Sequence, residues 1–81
     1  MTSNSPSKAY LDLRGIPCPQ NFVRCCLAIE DLLHKDLLEV DLDKGEPMEM
    51  VIPSLKEKGH QVDVVIEDES WIKIVVVCGE R

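Results

Sequence analysis

The sequence is poor in aromatic residues, has no long apolar run and carries no excess of positive charge. Only one Phe, one Trp and one Tyr occur in 81 residues, so Val, Leu and Ile must supply most of the core. No apolar segment approaches the roughly 20 residues of a membrane-spanning helix, and we expect no membrane insertion. The net charge of -6 repels phosphate backbones, so we expect no direct nucleic-acid binding. We expect protein partners that have basic docking surfaces.

The first eight residues, "MTSNSPSK", are polar and lack the apolar segment of a signal peptide. We expect a flexible tail over 1–8 and a single domain over 9–81, whose small core leaves little margin of stability. The missing signal predicts a cytoplasmic protein in which all four cysteines are free thiols. Such thiols are either apolar core residues or reactive groups. The oligomeric state is left open.

Apolar periodicity predicts six elements in the order strand, helix, strand, helix, strand, strand. The segments "KAYLDLR" and "LLEVDLD" alternate as strands do, and the acidic residues of the second share one face, which should therefore be wet. The segments "QVDVVIE" and "WIKIVVV" flank the turn "DES" and predict a hairpin. Right-handed crossovers then give an α/β two-layer sandwich, with a mixed four-stranded sheet and both helices on one face.

The two helices are predicted from apolar spacing and from end signals. The first runs from Pro19 to about Lys35 with Cys18 as its N-cap, because apolar residues recur there at spacings of three and four. Its predicted core positions are Phe22, Cys26, Ile29 and Leu33. The second helix ends before Gly59, and Pro53 inside it should kink or split it.

Cys18 lies between Pro17 and Pro19, at the carboxyl edge of the first strand and the N-terminus of the first helix. The partial positive charge of a helix N-terminus favours an anion and can lower the pKa of a thiol, whose thiolate is the nucleophile. The two prolines stiffen the backbone, and Arg14 can add positive charge nearby. We predict Cys18 as the reactive residue; the plainer alternative is an apolar core cysteine.

Four segments resemble the TusA/SirA-like family of small sulfur-carrier proteins, over about Ala9 to Val77. They are "LDLRGIPCPQN", the "GEP" that opens the second helix, "KEKGHQV" and the final "WIKIVV". The family pattern is Leu-Asp-x-x-Gly-x-x-Cys-Pro-x-Pro, and the matching residues are Leu11, Asp12, Gly15, Cys18 and Pro19. Asn21 replaces the second proline, which should loosen the first helical turn and return one N–H to it. That change either strengthens anion stabilisation or alters the fit of a partner.

The resemblance implies that Cys18 relays persulfide sulfur from a desulfurase-type donor to a downstream acceptor protein. The residues that would support it are Arg14, Gly15, Pro17, Pro19 and Asn21. We expect no cofactor, and the pathway stays open among tRNA thiolation, molybdenum-cofactor metabolism and sulfur oxidation. The alternative is a non-catalytic interaction or redox-regulatory module of the same fold, so whether the protein is an enzyme is also open.

The remaining cysteines and histidines predict no second site. Cys25 and Cys26 are neighbours on the first helix, and we expect Cys26 in the core and Cys25 at its border, too far from Cys18 to form a disulfide. Cys78 should lie at the opposite edge of the sheet from Cys18. Neither a Cys-x-x-Cys nor a His-x-x-x-His pair occurs, so we expect no metal site.

The open face of the sheet is predicted to carry apolar side chains, namely Val65, Trp71, Val75 and Val77. They form either a contact surface or a set of unrelated surface residues. The acidic segment "DLDKGE" lacks the ligand repeat of a calcium loop and is interpreted as a solvated loop.

Overall fold

The computed structural model describes residues 8–17, 19–33 and 35–79. Its elements follow the predicted order and are β1 (Lys8–Asp12), α1 (Gln20–Glu30), β2 (Leu37–Asp43), α2 (Glu46–Glu57), β3 (Gln61–Glu67) and β4 (Trp71–Val77). Cys18 and residues 1–7 of the predicted tail lie outside the described residues. Lys8, which was also predicted to belong to the tail, is the first residue of β1. No helix in the described part of the chain is long and apolar enough to cross a membrane.

The four strands form one mixed sheet in the order β1-β2-β4-β3. β1 and β2 are parallel, and β4 runs antiparallel to both of its neighbours, β2 and β3. The carboxyl ends of β1, β2 and β3 therefore lie at the same edge of the sheet. α1 contacts β1 and α2, and α2 contacts β2 and β3, so both helices cover the same face. The predicted two-layer α/β sandwich is confirmed.

The core lies between the helices and the two central strands. The buried residues of β2 face those of β4 across the ladder in the pairs Leu38 and Val76, Val40 and Ile74, and Leu42 and Ile72. Val51 and Leu55 of α2 are fully buried with them. Burying one such side chain contributes about 1.5–3 kcal/mol to stability. A shift of β2 by one residue relative to β4 would turn all of the buried side chains of β2 toward solvent. This core therefore fixes the register of β2 against β4.

α1 begins later and ends earlier than predicted. Its N-cap is Pro19 instead of the predicted Cys18, and the Pro19 carbonyl accepts a helical bond from the N–H of Val23 at 3.0 Å. It ends at Glu30, five residues before Lys35. Lys35 has a φ of 75° and donates its N–H to the carbonyl of the residue that follows β4, at 2.8 Å. Beyond Glu30, hydrogen bonds to the end of β4 thus determine the path of the chain, although the spacing of apolar residues favoured a helix there.

The buried stripe of α1 also differs from the predicted one. It consists of Asn21, Cys25 and Ile29, which are four residues apart and share one face. Cys25 is fully buried and Cys26 only partly so; the prediction for these two thiols was wrong. The physical reason is the early end of the helix, because Leu33, which helped to define the predicted stripe, lies outside it and is 75% exposed.

α2 is one continuous helix, so the predicted split at Pro53 does not occur. Pro53 has no N–H to donate to the Glu49 carbonyl, but both residues are exposed and water can satisfy that carbonyl. As predicted, the helix ends before Gly59, which has a φ of 96°. The N–H groups of Gly59 and His60 donate back to the last turn, at 3.0 and 3.2 Å, as in a Schellman motif.

β3 is an edge strand that contains a bulge. Its pairing with β4 shifts by one residue between Val64 and Ile66, so Val65 is the extra residue. Beyond the bulge the alternation reverses, which turns Ile66 to the open face and Glu67 to the helix face. A regular strand would have done the opposite.

Candidate functional site

The loop between β1 and α1 is held to the carboxyl end of β2. The N–H of Leu13 donates to the Asp41 carbonyl at 2.9 Å, and the N–H of Gly15 donates to Oδ2 of Asp43 at 2.8 Å. The N–H of Ile16 closes a turn by donating to the Leu13 carbonyl at 3.1 Å. Gly15 has a φ of 81°, which the third position of this turn requires and a side chain disfavours. Gly15 is thus a structural requirement of the loop.

A second hydrogen bond closes the loop around sequence position 18. The N–H of Asn21 donates to the Pro17 carbonyl at 3.1 Å, a bond that a proline in place of Asn21 could not make. Pro17 and Pro19 are both exposed and fix the backbone on each side. Cys18 itself lies outside the described residues, so its reactivity stays a prediction. The described residues give it rigid neighbours on both sides.

The N-terminus of α1 keeps its positive character, although most of its N–H groups are bonded. The N–H of Phe22 donates to Oδ1 of Asn21 at 2.6 Å, and that of Val23 to the Pro19 carbonyl. Gln20 is the first-turn residue whose N–H has no acceptor among the described residues. The first turn contains no acidic side chain that would neutralise the helix dipole.

Asn21 is fully buried in the first turn of α1. The N–H of Phe22 identifies Oδ1 as the acceptor, which leaves the Nδ2 amide group as a donor. Nδ2 has no hydrogen-bond acceptor among the described residues. A buried donor without an acceptor costs about 1–3 kcal/mol, so this position carries a free-energy cost within one turn of position 18. The sequence pattern missed its burial, although its spacing of four from Cys25 was a signal.

Arg14 lies on the open face of the sheet, bound to acidic groups. Its Nε and Nη2 bond the two carboxylate oxygens of Asp12 at 2.9 and 3.1 Å, and its guanidinium stacks 4.9 Å above the centre of the Trp71 ring. The side-chain and backbone N–H groups of Arg14 lower the pKa of the Asp12 carboxyl. Asp12 in turn raises the pKa of Arg14. The charge that Arg14 was expected to add to the loop is therefore largely balanced by Asp12.

Asp41 is buried on a face that was predicted to be wet. Tyr10 donates its hydroxyl to Oδ2 of Asp41, and this hydrogen bond is the main reason that the pKa of Tyr10 is raised. The Lys73 ammonium lies 3.9 Å from Oδ1 of Asp41 and 5.2 Å from the centre of the Tyr10 ring. Arg14 also shields Asp41, because its Nη2 lies 3.9 Å from Oδ2 of Asp41. The prediction that this face of β2 is wet was wrong at Asp41, because side chains of β1, β4 and the loop shield it.

Replacing the guanidinium in Arg14→Gln should raise the pKa of Asp12 toward its ordinary value of about 3.9. A carboxyl whose pKa is lowered by folding stabilises the protein above its unfolded pKa and loses that effect as the pH falls through its folded pKa. The variant should therefore lose less stability on acidification below about pH 4. Carbon-detected NMR titration measures the pKa. Glu39, whose pKa is lowered mainly by Lys8, is the internal control and should not change. An unchanged Asp12 would contradict the assignment.

Two of the other cysteines, Cys25 and Cys78, are buried and are poor candidates for the reactive thiol. Burial, with a smaller contribution from Cys26, raises the pKa of Cys25 to about 12, so its thiol is inert at neutral pH. Cys78 is buried beyond the end of β4, where its N–H donates to the Asp36 carbonyl next to the start of β2. That edge of the sheet is opposite the one that holds the loop. Among the described residues, no group of three His, Cys, Asp or Glu side chains could hold a metal ion.

The open face does not present a simple apolar patch. Trp71, Val75 and Val77 are only partly exposed, and Arg14 covers the Trp71 ring. Val65 is 53% exposed at the bulge. Both interpretations of these residues, a contact surface and separate surface side chains, remain compatible with this arrangement.

The chain is similar to known sulfurtransferase, sulfur-carrier and SirA-like proteins. Residues 9–77 match the family model described as sulfurtransferase TusA. A protein of Archaeoglobus fulgidus, described as a candidate sulfur carrier protein, is 30% identical over 63 residues, which are 75% of this chain and 72% of the relative. The crystal structure of a SirA-like protein from Desulfitobacterium hafniense superposes with a TM-score of 0.75 at 22% identity. That match covers 89% of this chain and 99% of the other, and shows the same fold.

Proposed function

Because the chain belongs to the sulfurtransferase TusA family, we propose that it is a sulfur carrier and that Cys18 carries the sulfur. Cys18 would receive this sulfur from a desulfurase-type donor and pass it to an acceptor protein. The observation that carries the proposal is the family match itself, because residues 9–77 include the motif around Cys18.

The transfer needs no cofactor, oxidant or reductant. The Cys18 thiolate attacks the terminal sulfur of a cysteine persulfide on the donor, so a new S–S bond forms on Cys18 while the S–S bond of the donor breaks. The electron pair of the broken bond leaves with the donor cysteine as its thiolate, and Cys18 becomes a persulfide. In delivery, a nucleophile of the acceptor attacks the terminal sulfur and Cys18 leaves as a thiolate.

A thiolate at position 18 is thus the attacking group in the first step and the leaving group in the second. Three features around this position support that role. The helix dipole of α1 favours a negative charge at its N-terminus, and no acidic side chain in the first turn opposes it. The bond from Asn21 to Pro17 keeps the loop closed. The Nδ2 group of Asn21 is a buried donor that has no acceptor among the described residues, and an anionic sulfur is an acceptor of the kind it needs.

The partners of a sulfur carrier are proteins. With a net charge of -6, the chain favours partners that present basic surfaces, and it would meet them faster at low ionic strength.

Incubation of the full chain with a purified cysteine desulfurase and cysteine tests the proposal. We expect intact-mass spectrometry to show the gain of one sulfur atom, and digestion to place it on the peptide that contains Cys18. A reducing agent should remove it, because a persulfide is reducible. No gain with several desulfurases, together with a Cys18 thiol pKa near the ordinary value of about 8.5, would contradict the proposal and favour the non-catalytic module.

A further inference from the structure

A groove of about 480 Å³ lies between α2 and the edge strand β3, outside the loop that holds Cys18. Its lining residues are Met48, Glu49, Ile52, Pro53, Val64, Glu67 and Ile72. Most of this surface is apolar, and Val64 is 50% exposed on it. Apolar surface of this kind gains free energy when a partner covers it.

The polar side chains that line the groove are hydrogen-bond acceptors. Among the described residues that line it, the charged side chains are the carboxylates of Glu49 and Glu67, and none of the side chains is a donor. An occupant that satisfies these groups must therefore supply N–H donors or a cation together with apolar surface.

The β-bulge explains why the groove contains two carboxylates. A regular β3 would have pointed Ile66 toward the helices and Glu67 away from them. The extra residue at Val65 reverses this, and Glu67 pairs with Ile72 on the helix face. The fold thus replaces an apolar side chain by an acidic one at the mouth of an apolar groove. A bulge that re-aims a side chain in this way is often found at a functional surface.

The groove opens at the same end of the sheet as the loop around position 18. Glu67 ends β3, and Glu49 lies in the first turn of α2, which follows the carboxyl end of β2. β1 and β3 are separated by three strand spacings, or about 14 Å. One protein partner could cover both places, since a typical interface buries about 800 Å² on each side.

The charges at this end of the sheet are mostly negative. The acidic residues that end or follow β2 and β3, or lie in the first turn of α2, are Asp43, Glu46, Glu49, Glu67, Asp68 and Glu69. Two basic residues lie at this end: Arg14, which pairs with Asp12, and Lys44, which pairs with Glu67 at 3.2 Å. Among the described residues, Glu49 has no such partner. The field at the groove therefore favours a cationic ligand.

We propose that this groove docks a segment of the sulfur-relay partner that has apolar side chains flanked by Lys or Arg. The proposal rests on the proposed function, because it takes that partner to be the desulfurase-type donor that loads Cys18. The apolar side chains cover Ile52 and Val64, and the cationic side chains reach Glu49 and Glu67. Docking there holds the partner beside the loop while sulfur is transferred.

A synthetic peptide with alternating Leu and Lys or Arg residues is the first probe, titrated into the isotope-labelled full chain. We expect amide NMR shifts to cluster at Met48, Ile52, Val64 and Glu67. A peptide with Glu in place of every cation should bind at least about tenfold more weakly. The proposal would be overturned if the shifts centred on the open face of the sheet or if the acidic peptide bound equally well. It would also be overturned if the groove signals shifted when the protein alone was concentrated, because this would indicate that a second copy of the chain occupies the groove.

Charge reversal then separates docking from sulfur chemistry. Glu49→Lys should weaken the basic peptide about tenfold, whereas Glu57→Lys, at the other end of α2, should not. With a desulfurase as donor, Glu49→Lys should slow loading of Cys18. With a small-molecule persulfide donor, both variants should load like the wild type. If Glu49→Lys loses peptide binding but every desulfurase that loads the wild type loads this variant equally fast, the docking role is overturned and the carrier role stays intact. Failure of the wild type to load contradicts the proposed function instead.

Discussion

Cys18→Ser is expected to abolish the gain of sulfur completely, while Cys26→Ser should load to the same extent as the wild type. Serine is nearly isosteric, but its hydroxyl does not ionise near neutral pH and cannot hold a sulfane sulfur as a persulfide. Cys26 is the matched control because it is the partly exposed thiol among the described cysteines. Intact-mass spectrometry after incubation with a desulfurase and cysteine measures both variants.

Loss of loading in Cys18→Ser must be separated from loss of folding. We expect the melting temperature of this variant to stay within a few degrees of the wild type, since a destabilisation of about 1 kcal/mol would lower it by about 4–8 °C in a domain of this size. Sulfur that remains on the Cys18→Ser chain and disappears from Cys26→Ser would contradict the assignment. A large drop in melting temperature would instead indicate that Cys18 has a packing role.

Asn21→Leu should raise the pKa of the Cys18 thiol by about one pH unit and slow its loading near neutral pH. The leucine side chain has a similar size, and it removes the buried Nδ2 donor that is proposed to hydrogen-bond the sulfur anion. Stability should change little, because two effects oppose each other. While the Cys18 thiol is protonated it is only a weak acceptor, so removing Nδ2 relieves part of the roughly 1–3 kcal/mol cost of burying this donor, whereas losing the bond from the Phe22 N–H to Oδ1 costs about 1 kcal/mol.

The rate of alkylation of Cys18 as a function of pH gives the thiol pKa, and thermal unfolding gives the stability. Gln20→Leu is the matched control, because Gln20 lies in the same turn but is exposed. Its thiol pKa should equal that of the wild type. An unchanged pKa in Asn21→Leu would show that the amide does not act on the sulfur. Equal changes in both variants would point to a general effect on the helix terminus.

The fold was predictable because its signals are local and agree with one another. The strict alternation of Leu38, Val40 and Leu42 fixes which face of β2 is buried, and the hairpin of β3 and β4 follows from two apolar runs around a polar turn. The right-handed crossover rule then leaves few topologies. The order of elements and the two-layer architecture follow from these facts without a tertiary contact.

What escaped prediction depends on contacts that sequence spacing does not show. The end of α1 is decided by bonds between the segment after Glu30 and the end of β4, and this moved Cys25, not Cys26, into the core. The alternation of β2 predicts that Asp41 is solvated, whereas the structure shows that Tyr10 and Lys73 shield it. The rigid neighbours of Cys18 were anticipated from two prolines, whereas the buried donor of Asn21 was not.

The bulge in β3 also bears on how the protein avoids aggregation. β3 is an edge strand with three consecutive exposed apolar residues, Val64, Val65 and Ile66, at 50%, 53% and 45% exposure. A regular edge of this composition is a template on which a second molecule can add its own strand and start a fibre. The extra residue interrupts the repeat of N–H and C=O groups at the middle of this apolar run. We therefore expect the irregularity that gives the groove its second carboxylate also to disfavour edge-to-edge pairing between crowded copies of the chain.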